Sequence, residues 1–136
     1  MKRALPLLAG ALVLAGCGGG ERVGGKLPRC AAHPAHRFSR GALPGGFPLP
    51  NGTILTKLNR KFDRVNFRGR FAGDVNHARA FFQQRLPEEG FLVDGGDSRQ
   101  DFAEESFVGN GVNGFVKLHP YSSCKRVVRM LITIKP

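Results

Sequence analysis

The 136-residue chain carries 21 Lys and Arg against 10 Asp and Glu, a formal charge of +11, with three cysteines and no tryptophan. That length leaves room for one domain with one modest core, and no internal repeat is visible. A cation excess of this size makes an acidic surface the natural partner.

The amino terminus carries the first signal. Lys2 and Arg3 precede an almost wholly apolar run, Ala4 to Ala15, broken only by Pro6 and Gly10. About a dozen apolar residues fit the core of an export signal and fall short of the ~20 that a membrane-spanning helix needs, and no other stretch approaches that length. Residues 1–16 therefore read as a signal peptide. Leu14-Ala15-Gly16-Cys17 resembles the lipobox of bacterial lipoproteins, in which the cysteine sulfur receives a diacylglycerol and the chain is cut just before it. The resemblance implies lipidation of Cys17 and a protein anchored on the extracytoplasmic face of the cell membrane. Two acyl chains hold stably, at about 0.8 kcal/mol per buried methylene. An ordinary secretion signal with Cys17 incidental is the competing reading. Loss of Lys2 and Arg3 with the leader would leave a charge of +9.

Residues 17–29 read as the lipidated cysteine and a flexible tether, because GGGERVGG offers little side chain to bury. Residues 30–52 are rich in proline and glycine and predict an extended, irregular segment, with Phe38, Leu43, Phe47 and Leu49 available to pack on the domain. With Cys17 acylated, Cys30 and Cys124 remain as an even pair in a compartment where disulfides persist, so they are expected to be joined. A metal site is the alternative: Cys30, His33 and His36 have C-x-x-H-x-x-H spacing and could hold zinc or copper. His77 and His119 stand too far away in sequence to extend that set.

From residue 53 to 136 the pattern is clearer. Thr53 to Leu58 and Arg64 to Phe71 read as strands, the second placing Val65, Phe67 and Phe71 on one face and Arg64, Asn66, Arg68 and Arg70 on the other. Asp74 is a candidate N-cap for a helix in which Val75, Ala78, Phe81, Phe82 and Leu86 recur at helical spacing before Pro87 and Gly90. Phe91 to Asp94, Phe102 to Val108, Val112 to Leu118 and Val127 to Ile134 read as further strands, with Gly109-Asn110-Gly111 as hairpin turn. The fold class expected is α+β, an antiparallel sheet with one amphipathic helix packed on one face in two layers.

The lipobox, FPLPNGT at Phe47 to Thr53, GDVNHARAFFQQRLPEEGF at Gly73 to Phe91, FVGNGVNG at Phe107 to Gly114 and the late cysteine before a final apolar strand are together similar to a group of small actinobacterial lipoproteins. The resemblance implies an address and a domain type, and carries no catalytic residues.

Chemistry read from the residues is sparse. Asp94, Asp97, Asp101, Glu104 and Glu105 form the one dense carboxylate group, but its spacing is not that of a calcium loop. No nucleophile elbow or phosphate-binding loop is present, and the eleven phenylalanines fall mostly on faces expected to be buried. No catalytic residue and no cofactor is assigned, and an enzyme is not expected. The function expected is a non-enzymatic binding or envelope-accessory domain whose basic face, Arg64, Arg68 and Arg70, meets an anionic lipid, polymer or protein partner. Lys125, Arg126 and Arg129 would join if the strands are close. Nucleic acid is not an expected partner for an exported protein. A small-ligand or metal carrier is the alternative.

Overall fold

The structure, a computed structural model, describes residues 23–32, 41 and 43–136. Cys17, His33, His36 and Phe38 lie outside the described residues.

Six strands form one antiparallel sheet: β1 (Ile54–Lys61), β2 (Arg64–Ala72), β3 (Leu92–Arg99), β4 (Phe102–Gly109), β5 (Val112–Pro120) and β6 (Val127–Lys135). Their order is β1-β2-β6-β5-β4-β3, so the last strand enters the middle and pairs with both β2 and β5. Among the described residues one α-helix, α1 (Val75–Glu88), follows β2, and a short 3-10 helix, Arg29–Ala31, precedes β1. Asp74 caps it by accepting the His77 amide hydrogen at 2.9 Å, and the His77 ring contacts the other carboxylate oxygen. Burial raises the Asp74 carboxyl, but the His77 hydrogen bonds outweigh that and leave it below its ordinary value.

Strand alternation decides what is buried. Phe67, Phe71, Phe107, Val116, Leu118, Val128, Met130 and Ile132 point to one face and join Val75, Ala78, Phe82 and Leu86 of α1 in the main core. Each fully buried Phe, Leu or Ile contributes roughly 1.5–3 kcal/mol over an exposed one. The helix packs mainly over β4, β3 and β5, with its Phe82 ring also meeting Phe71 of β2 at 6.4 Å. Over the rest of this face lies the irregular amino-terminal segment, which supplies Val23, Leu43, Phe47 and Leu49. The Phe47 ring stands edge-on to Phe91 at 5.5 Å and to Phe107 at 5.3 Å, an arrangement aromatic quadrupoles favour.

The expected two-layer α+β class is therefore corrected. Among the described residues strand makes up 50% and helix, 3-10 turns included, 17%, a predominantly β architecture nearer a β-sandwich, all of it antiparallel. The physical reason is that one helix of 14 residues cannot cover six strands. Much of the second layer is coil rich in proline and glycine, which has no periodicity to read.

That segment also crosses the sheet. Val23 forms a bridge with Gly73 and belongs to the main core, whereas Leu27 and Ala31 lie in a second, smaller core with Cys124 and Val127 on the opposite face. Val23 to Pro28, counted with the tether from sequence, is thus packed against the domain. Where the chain returns, Gly25 donates to the Asn51 carbonyl at 2.8 Å, and Gly52, at φ 78°, presses so closely on the Gly25 carbonyl that no Cβ would fit. The Cys30–Cys124 disulfide, with Cα atoms 5.7 Å apart, fastens the crossing.

Candidate anion-binding face

The sheet face opposite the main core is covered at one end by the amino-terminal segment, which forms a short 3-10 turn at Arg29–Ala31, and beyond it carries no second sheet or α-helix among the described residues. On β2 this open face carries Arg64, Asn66, Arg68 and Arg70, as period two requires. Cross-strand register adds the rest. Lys57 stands beside Arg68 and Lys61 beside Arg64 on β1; Arg129 stands beside Arg70 on β6; Lys117 and His119 follow on β5, opposite Leu131 and Arg129. Among the described residues, the carboxylates of this face cluster at its β4 and β3 side, where Glu104 meets Lys117 at 3.6 Å and Asp97 lies opposite Glu104, apart from Asp63 in the β1–β2 turn. The remaining cations form a patch across β1, β2 and β6, with His119 of β5 at its edge.

The three arginines singled out from sequence have different surroundings. Arg64 is exposed and loosely paired with Asp63 at 3.7 Å. Arg68 is exposed, and its guanidinium has no ion-pair partner among the described residues. Arg70 is half-buried: its guanidinium lies 4.8 Å from the centre of the Tyr121 ring, donates to the Tyr121 hydroxyl at 3.2 Å and reaches the Ala31 carbonyl at 3.5 Å. It clamps the amino-terminal segment beside the disulfide. Arg129 takes its place as the second free guanidinium of the patch.

Arg68, Arg129 and His119 line a shallow hollow of about 160 Å³ with Met130 and Leu131. Like charges set opposite one another across a sheet repel, and here nothing acidic separates them. Burial, followed by the charges of Arg129 and Lys117, holds His119 below the usual histidine value. The hollow is well below the ~300–1,000 Å³ typical of pockets for organic ligands, so it suits one small oxyanion or headgroup phosphate. Two guanidiniums and a ring nitrogen can all donate to such a group.

The carboxylate group of the sequence is split by the pleat. Glu104 lies on the open face, while Glu105 points into the core, where Arg79 Nε donates to its Oε1 at 2.5 Å and Gln83 Nε2 at 2.9 Å. This buried pair ties α1 to β4; breaking such a pair by removing one partner costs about 3–5 kcal/mol. Cys30 is held in the disulfide, and among the described residues no group of three or more His, Cys, Asp or Glu is arranged to hold a metal ion. No helix among them is long and apolar enough to cross a membrane. A larger hollow of about 480 Å³ lies at the amino end of α1, between Asp74, Tyr121 and the Lys125–Arg126 turn, so those two cations sit away from the Arg68 hollow.

Comparison with family models, curated proteins and solved structures gives no match. The functional reading therefore rests on this chain's own geometry.

Lys57, Lys61, Arg129, Lys117 and His119 were missing from the sequence-derived site, or present only on condition. Their side of each strand follows from alternation. Their assembly follows from β6 lying between β2 and β5, a long-range pairing that no local pattern encodes.

Proposed function

We infer that the protein is a lipid-anchored extracytoplasmic domain that holds its basic sheet face against the anionic phospholipid surface of its own membrane. The observation that carries this reading is the three-strand patch of Lys57, Lys61, Arg64, Arg68 and Arg129, within which only Arg64 has a carboxylate partner, Asp63, among the described residues. Each cation close to an anionic membrane contributes about 1 kcal/mol, an attraction that salt screens over ~10 Å at 0.1 M. Only residues 18–22 separate Cys17 from the docked Val23, a link that reaches about 20 Å at full extension. An acylated Cys17 would keep the face at high local concentration beside the headgroups, so modest affinity suffices.

The test uses the mature chain, residues 17–136, carrying Cys17→Ser, which contains the whole described fold. It is co-sedimented with vesicles of phosphatidylglycerol and phosphatidylcholine at two salt concentrations. Binding should require phosphatidylglycerol and fall as salt rises, and Arg68→Gln with Arg129→Gln should weaken it about tenfold or more at low salt. Equal binding by parent and variant contradicts the reading, as does capture by anionic polymer without capture by vesicles.

A further inference from the structure

Among the described residues three large apolar side chains are exposed: Phe62 completely, Leu92 at 68% and Val108 at 41%. The register collects all three at one end of the sheet. Phe62 forms the turn beyond the Lys61–Arg64 pair that closes β1 and β2. Leu92 faces Val108 where β3 begins and β4 ends, next to the Val93–Phe107 pair whose Phe107 fills the core, so Leu92 and Val108 belong to the open face. Strands lie ~4.8 Å apart, which places the Phe62 and Leu92 corners roughly 24 Å from one another across the basic patch.

A single exposed apolar residue is ordinary on a protein surface. Phe62 differs because its backbone is unfavourable as well. It adopts φ 45° in a two-residue hairpin turn, where glycine, asparagine or aspartate is usual and a bulky residue is an outlier. Its strain and its exposure are both relieved by substitution in the free protein, which points to a use in a bound state. Arg60 and Lys61 precede it, and neither has an ion-pair partner among the described residues. An aromatic tip beside free cations matches the layered chemistry of an anionic bilayer, with phosphates outside and acyl chains beneath. A second copy of this chain would bring like charge to the same patch.

We propose that Phe62, together with Leu92 and Val108, is a rim that inserts into the interfacial layer of an anionic membrane. The proposal deepens the reading above and rests on it. Val23 leaves the sheet at the other end of β2, a strand of about 30 Å, so the anchor and the rim hold the two ends and lay the open face along the bilayer.

The chain has no tryptophan, so Phe62→Trp places a single indole reporter at the tip. In the mature chain with Cys17→Ser, indole emission should shift to the blue with phosphatidylglycerol vesicles and stay unchanged with phosphatidylcholine vesicles. Separately, Phe62→Asn should raise Tm, because asparagine tolerates positive φ, while weakening vesicle binding about fivefold to tenfold. Stabilisation with loss of binding is a combination that a merely structural Phe62 does not give. Unshifted emission on sedimented vesicles, or undiminished binding by Phe62→Asn, overturns the rim while leaving the electrostatic face intact. No sedimentation by the parent overturns both.

Discussion

At one end of the sheet the Cys30–Cys124 disulfide, Tyr121 and the Arg70 guanidinium clamp the amino-terminal segment across the open face; at the other, Phe62, Leu92 and Val108 stand in solvent, Phe62 next to Arg60 and Lys61. Both ends hold arginines from β2 and apolar side chains. At the clamped end these contact one another and are withdrawn from solvent, and at the free end they are left for something else to cover. An arginine on a basic strand is thus left open to solvent or used as a fastener depending on whether an aromatic ring and a carbonyl lie within its reach, as Arg68 and Arg70, two residues apart, demonstrate.

The largest effect expected is at the clamped end. Cys30→Ala with Cys124→Ala releases a cross-link spanning 94 residues, and the chain-entropy account assigns such a loop at most about 4–5 kcal/mol. Denaturant unfolding should register most of that loss. Vesicle binding by the variant, measured where it remains folded, should change little, because the clamp is remote from the rim; a matching loss of binding would show that the two ends are not independent.

A smaller effect belongs to the hollow between them. His119 is held below its ordinary value of 6.5, so the folded form takes up its proton less readily than the unfolded chain. The stability linked to it is present above about pH 6.5 and is lost as pH falls through the folded value. Arg129 from β6, Lys117 from β5 and Arg68 from β2 face it, and the Phe102 ring of β4 lies 5.0 Å away. His119→Gln should flatten the stability profile below about pH 6.5, followed by thermal unfolding as the pH is lowered from there. A profile with unchanged slope would place the titration elsewhere.

The clamped and free ends were unequally legible in the sequence. All six strands and the helix were recognisable from alternation and spacing, and the cysteine pair from counting. The β3 strand runs on to Arg99 through Gly95 and Gly96, further than its apolar start indicated, because its outer half is solvated and shows no alternation. The second layer was misread because Leu43, Phe47 and Leu49 pack from a segment without regular structure. Arg64 and Arg68 were legible as a basic face; Arg70 as a fastener was not, since Tyr121 and Ala31 reach it from 51 and 39 residues away. The exposure and positive φ of Phe62 are equally invisible in a string of letters, where the phenylalanines look alike.

The division between the two ends is tested most directly by hydrogen–deuterium exchange of the mature Cys17→Ser chain with and without phosphatidylglycerol vesicles. Slowed exchange is expected in the turn between Lys61 and Arg64 and around Val108, with the Tyr121 to Arg126 turn unchanged. Protection at the Tyr121 to Arg126 turn or on α1, with none at the Phe62 turn, would contradict it.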